Sequence, residues 1–114
     1  MKKAEFAEYI KDMLEPFGPI TIRAMFGGYG VYKNGLMIAL IAENELYLKA
    51  DTKTAEYFKA AGSEPFIYHG KKDKPVTMSY YKVLPDVMND SDQLEKWLNL
   101  ACDAAINAKK KGKS

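Results

Sequence analysis

The side chains with most chemistry to offer in this 114-residue chain are one histidine, one cysteine and one arginine. His69 stands beside Gly70 in a run with the composition of a turn, and Cys102 falls near an apolar helical stripe. If the two met, the imidazole would activate the thiol as a nucleophile. A small cysteine beside an apolar stripe is more often packing, however, and a histidine in a glycine-containing turn is more often solvated. Metal chemistry has less to stand on, because zinc favours clustered ligands and the chain has no Cys-x-x-Cys or His-x-x-x-His spacing. These residue types point to a protein that is not an enzyme and takes no cofactor or metal.

Lysines form a second chemical set. Lys71, Lys72 and Lys74 crowd one turn, Lys82 follows, and Lys109, Lys110, Lys111 and Lys113 fall within the last six residues. With Tyr68, Tyr80 and Tyr81 nearby, the turn has the ingredients of a stacking platform over a positive strip, which is how single-stranded nucleic acid is held. The plainer reading is a solvated hairpin tip beside aromatics that pack across a sheet. Charge favours the plainer reading: the net charge is +2, so without the terminal lysines the body is slightly acidic and lacks the footprint of a duplex binder. Sixteen lysines also stand against one arginine, the usual bidentate reader of guanine and phosphate. Weak nucleic-acid binding through Lys71, Lys72, Lys74, Lys82, Lys109, Lys110 and Lys111 is therefore the alternative, and the tail reads first as a solubilising terminus.

The most specific run is Arg23-Ala24-Met25-Phe26-Gly27-Gly28-Tyr29-Gly30. Glycine inside β-structure loses packing and entropy, so this run predicts a bulge, a bend or a close backbone approach, with a kinked strand as the expected form. Gly-Gly-x-Gly with no Gly-Lys-Ser/Thr after it does not match a phosphate-cradling loop. Alternation puts Arg23 and Met25 on one strand face, where the guanidinium is expected to pair with a carboxylate and tie the bend in place. An exposed arginine would instead serve as a contact hot spot, and Arg23, Met25, Phe26, Gly27 and Gly28 form the expected partner-contact segment.

The elements that position these residues follow from periodicity. Phe6, Ile10, Met13, Leu14 and Phe17 make a helical stripe over residues 3 to 15, ended by Pro16 and Gly18-Pro19. From Ile20 to Ala50 the period becomes two. Asn34-Gly35 between apolar runs predicts a type I′ hairpin joining 29–33 to 36–42, and Glu43-Asn44 a second tight turn into 45–50. The first strand is expected to run back through the glycine bend to Ile20. Leu36 to Ile41 is apolar on both faces, as a central strand would be. Asp51 reads as the N-cap of a helix to Ala61, with Ala55, Phe58 and Ala61 inward and Gly62 as its stop. Strands near 65–68 and 76–83 follow. A last helix is capped at Asp90 with Gln93 completing a capping box, on a stripe of Leu94, Trp97, Leu98, Ala101, Ala105 and Ala108.

The order α-βββ-α-ββ-α with short turns predicts a two-layer α+β domain: a mostly antiparallel five-stranded sheet with helices on one face. Residues 1–108 form the domain and 109–114 a flexible lysine tail. At 47% hydrophobic residues the chain is globular, and with no long apolar run or signal-like start it is expected to be cytoplasmic, without a membrane partner. The single cysteine agrees with a reducing compartment. One sheet face stays uncovered. If several of Met25, Tyr32, Met37, Ala39, Ile41 and Tyr47 share it, that face is a docking or homodimer surface.

Taken together, Arg23 to Gly30, Leu46-Tyr47-Leu48-Lys49-Ala50-Asp51, Pro65-Phe66-Ile67-Tyr68, Met78-Ser79-Tyr80-Tyr81 and the helix with Leu94 and Trp97 closely resemble the TfoX amino-terminal domain family. The likeness covers nearly the whole chain, in order. It implies a fold like that of secretion chaperones and a bacterial protein akin to the TfoX/Sxy regulators of competence, which favour transcription of DNA-uptake genes. It implies no catalytic residues, and a protein partner in transcription regulation. Longer relatives carry a second, helical carboxy-terminal domain, so this chain is expected to be a single-domain member.

Overall fold

Two turns frame the sheet. At Asn34-Gly35 φ is 54° and 78°, and at Glu43-Asn44 it is 50° and 58°. Positive φ at both central residues is the type I′ geometry, whose twist matches that of the strands it joins. The computed structural model describes residues 2–25, 27–69 and 75–112. Its strands are β1 (Thr21–Met25), β2 (Gly28–Lys33), β3 (Leu36–Ala42), β4 (Glu45–Lys49), β5 (Pro65–His69) and β6 (Pro75–Lys82). Its helices are α1 (Lys3–Leu14), α2 (Thr52–Ala60), α3 (Pro85–Met88) and α4 (Ser91–Gly112), with a 3-10 turn at Glu15–Phe17.

The strands form one antiparallel sheet in the order β1-β2-β3-β4-β6-β5. The count is six where the sequence predicts five. The glycine run is the reason: Met25 pairs with Gly28, and Gly27 sits at φ 77°, so the chain reverses there and the expected kinked strand is a hairpin of β1 and β2. The register slips once more, where Val31 faces Ala39 and Tyr32 faces Met37. Ile38 is the extra residue of this bulge and joins the core, which sends Met37 to the other face.

The helices cover one face. α4 lies across β3 and β4, and Ala101 and Ala104, both fully buried, let it approach closely. Ile10 and Leu14 from α1, Val31, Ile41 and Leu48 from the sheet, Val83 just after β6, and Leu94 and Leu98 from α4 fill the space between the layers. Phe58 of α2 stacks on Tyr81 at 5.4 Å and lies 4.6 Å from the Trp97 ring. Such ring pairs add about 0.5–1.5 kcal/mol beyond area burial.

The caps are partly as expected. Asp51 accepts from the Thr54 amide at 2.8 Å while the Thr54 hydroxyl accepts from the Asp51 amide at 2.8 Å, a reciprocal capping box. Asn107 of α4 donates to the same carboxylate at 3.4 Å. Asp90 caps α4 through the amides of Asp92 and Gln93, but the Gln93 side chain reaches the Asp90 carboxylate rather than its amide. Ala61 and Ala108 are exposed rather than inward, the first because it is the C-cap of α2 and the second because it lies beyond the sheet-covered part of α4. α4 continues to Gly112 and so includes Lys109, Lys110 and Lys111. Among the described residues, no helix is long and apolar enough to cross a membrane.

Candidate functional site

The face away from the helices is built by register. Arg23, Gly30, Leu40, Tyr47 and Lys82 lie opposite one another on five consecutive strands. Two residues along each strand, Met25, Gly28, Ala42 and Glu45 share this face, as do Tyr32, Lys49 and Tyr80 in the other direction. Ala39 and Ile41, by contrast, point to the core. A cavity of about 240 Å³ opens on this face, lined by Met25, Met37, Leu40, Phe66, Tyr68, Met78 and Tyr80. Both edge strands, β1 and β5, contribute to it, so the sheet is concave on this side.

Two glycines of β2 shape the hollow. A side chain at Gly30 would stand 2.6 Å from Met25 Sδ and 3.0 Å from Tyr32 Cε1, and one at Gly28 would collide with the Ile41 carbonyl oxygen. Bare backbone at Gly30 thus leaves room for Met25 and Tyr32, and bare backbone at Gly28 lets β2 approach β3. Methionine supplies an adaptable lining, and three of the six in the chain are here.

Cations stand at the rim over aromatic rings. The Arg23 guanidinium lies 5.3 Å from the Tyr32 ring centre and the Lys49 ammonium 4.9 Å from that of Tyr80. The carboxylate partner expected for Arg23 is absent among the described residues, where the ion pairs are Lys59–Glu56 and Lys82–Glu45. The physical reason is composition: Glu45 is the one carboxylate on the strands, and Lys82 takes it at 3.8 Å. Tyr80 is 6% exposed, and burial, with Tyr32 nearby, pushes its phenol up to about 12. Burial also raises the Tyr47 phenol, helped by Glu45, Glu43 and Glu64, and its ring meets Phe66 edge-on at 5.1 Å.

The remaining candidates are scattered. Arg23 is exposed, Met25 half-buried, and both reach the concave face as alternation predicts. Gly27 forms the turn beside it, and Lys3 donates to its carbonyl at 3.3 Å. Phe26, Lys71, Lys72 and Lys74 lie outside the described residues. Lys82 is on the concave face, whereas Lys109 and Lys110 are exposed at the end of α4 in the other layer. Tyr80 and Tyr81 point to opposite faces, so Tyr81 is packing rather than platform. His69 is exposed at the end of β5, while Cys102 is half-buried on α4 in a crevice with Leu14, Phe17 and Lys33. Burial pushes its thiol up, against a smaller lowering by Lys33. The two residues sit in different layers and make no dyad. Among the described residues, no three His, Cys, Asp or Glu side chains cluster to hold a metal.

Sequence reasoning leaves out the walls that Phe66 of β5 and Met78 of β6 supply, for which alternation with Ile67 and Ser79 is the one signal, and it names Tyr80 only as a stacking residue. A family model described as the TfoX N-terminal domain matches residues 12–105. The chain belongs to the TfoX N-terminal domain family. The matched segment contains all six strands, hence the whole concave face, and stops before the lysines at the end of α4. This TfoX N-terminal domain is similar to Protein Sxy of Escherichia coli (strain K12), 26% identical over 111 residues that cover 96% of this chain and 53% of Sxy. It is also similar to DNA transformation protein TfoX1 of Aliivibrio fischeri (strain ATCC 700601 / ES114), 26% identical over 83 residues, 73% of this chain and 39% of that protein. The chain thus spans about half the length of Sxy, and its match to TfoX1 covers less of that relative.

Proposed function

We propose that this domain is a non-enzymatic bacterial regulator of the DNA-transformation type, acting in the cytoplasm on transcription through protein contacts made by its concave sheet face. The observation that carries the reading is the apolar, methionine-lined hollow within the segment matched by the family, in a chain similar to a protein named for DNA transformation. Exposed concave apolar surface is costly to leave unoccupied and marks interaction sites. Nucleic-acid binding has less support. Lys82 is paired with Glu45, Tyr81 faces inward, and the α4 lysines are remote from the hollow.

The test is transcript abundance of DNA-uptake genes in a bacterium carrying the chain, compared with a strain lacking it and with a strain carrying Met37→Lys/Met78→Lys. Both methionines are half-buried at the hollow, so the charges enter the face and not the core. The expected result is a transcript change that requires the chain and disappears in the folded double variant. Equal transcripts in all three strains would refute the reading.

A further inference from the structure

The hollow has the dimensions and chemistry of a socket for a side chain. Its volume of about 240 Å³ falls below the ~300–1,000 Å³ of small-molecule sites, and its lining of methionine, leucine and aromatic carbon offers few groups to orient a small ligand. A single large apolar side chain fits such a space as an anchor, and methionines let the walls adapt to it.

The charges around it identify the flanks of that anchor. Of the 15 carboxylates in the chain, eight lie on the four helices and one, Glu45, on the strands. The strands carry Arg23, Lys33, Lys49 and Lys82, and Glu45 is neutralised by Lys82. The helices match their eight carboxylates with eight lysines, so it is the strands that carry net positive charge. Arg23 and Lys49 stand on the concave side itself, held over Tyr32 and Tyr80. A second copy docking face to face would set these cations against their like, which disfavours self-association here.

Resting on the reading that this face is the contact surface, we infer that the partner is a protein segment that is acidic and amphipathic: one bulky apolar side chain seats in the hollow, and Asp or Glu on either side meets Arg23 and Lys49. The apolar anchor supplies affinity and the rim charges supply orientation and rate of encounter.

The experiment pans a random 12-residue phage-displayed peptide library against the full chain and measures binding of the selected peptides, synthesised with a fluorescent label. The expected peptides carry Leu, Met, Phe or Trp flanked by Asp or Glu. Arg23→Glu should weaken them about tenfold, Met37→Lys or Met78→Lys should abolish binding, and a peptide with Lys replacing its acids should regain affinity for Arg23→Glu. That charge swap is a response a merely misfolded variant cannot give, and Arg23 is exposed enough for its reversal to leave the fold intact. Neutral or basic peptides that still depend on Met37 would overturn the acidic partner while leaving the face as a docking site. Peptides indifferent to Met37 and Met78, or no enriched peptide, would overturn both. A labelled 12-nucleotide single strand of thymidines that binds the face more tightly than any peptide would overturn the inference in favour of nucleic acid.

Discussion

Replacing Gly28 and Gly30 one at a time by alanine separates two uses of glycine on β2. Neither residue has φ in the left-handed region, so alanine carries no backbone strain and gains about 0.4–1 kcal/mol by restricting the unfolded chain. At Gly30 the new methyl group meets Met25 Sδ at 2.6 Å and Tyr32 Cε1 at 3.0 Å, both parts of side chains that can rotate. Overpacking of that kind costs about 1–3 kcal/mol, which leaves a net loss of roughly 1 kcal/mol. At Gly28 the methyl group meets the Ile41 carbonyl, with Ala42 Cα behind it at 3.5 Å, and backbone has no rotamer to escape into. Displacing that carbonyl opens the Tyr29–Ile41 pair, and each backbone group left unpaired costs about 1–3 kcal/mol, so the loss is on the order of 3 kcal/mol. At about 4 °C per kcal/mol for a domain of this size, the midpoints should fall by about 4 °C and 12 °C respectively. Thermal and urea unfolding followed by circular dichroism measure both. Shortening Met25 should rescue Gly30→Ala and not Gly28→Ala. A Gly28→Ala protein as stable as the wild type, or more stable than Gly30→Ala, would refute the close-approach argument.

Three further outcomes are expected. Leu48→Ala, at a position with no exposure in the middle of the sheet, should cost about 2–5 kcal/mol in urea unfolding. Asp51→Ala should cost about 1 kcal/mol by removing the α2 cap. The Thr54 amide, donating to Asp51, holds that carboxyl below its ordinary value, so its contribution is present above the unfolded pKa and lost as pH falls through the folded one. Stability of Asp51→Ala should accordingly depend less on pH in the acid range, read from urea midpoints across an acid pH series. For Tyr80 the sign is opposite: its phenol is pushed from 10.0 up to about 12, so the stability held by the neutral form is complete below pH 10 and lost as pH rises towards 12. Phenolate absorbance should show one late-titrating tyrosine that disappears in Tyr80→Phe.

Local chemistry made much of this fold legible. Asn34-Gly35 and Asp51 act through their own backbone neighbourhoods, and turn and cap appear where their residue types demand. The Arg23–Gly30 run was legible as a place where backbone matters, yet a kink and a reversal call for the same glycines. The choice between them depends on whether β1 finds a partner, which is a property of the folded sheet. The bulge at Ile38 was hidden for a similar reason, since a run apolar on both faces has no alternation to betray a slip. The candidate site was therefore half visible. Arg23 and Met25 could be placed on one face by counting, but the walls supplied by Phe66, Met78 and Tyr80 come from strands that reach the hollow only through the order β4-β6-β5.

That order also explains why the residues with reactive side chains are poor guides to this protein. His69 and Cys102 are conspicuous by type and are set apart in different layers, while the hollow is made by residues whose chemistry is plain. Its concavity depends on what β2 lacks. With side chains at Gly28 and Gly30, β2 would be forced from β3, and Met25 and Tyr32 from their places beside the hollow. Arg23 would then lose the ring that holds it at the rim. The glycines, the methionines and the cation over its tyrosine form one device, in which missing side chains create the space, adaptable ones line it and a held charge marks its edge. A substitution at Gly30 should therefore disturb binding more than stability, and one at Gly28 the reverse, because only the second reaches the backbone of the core.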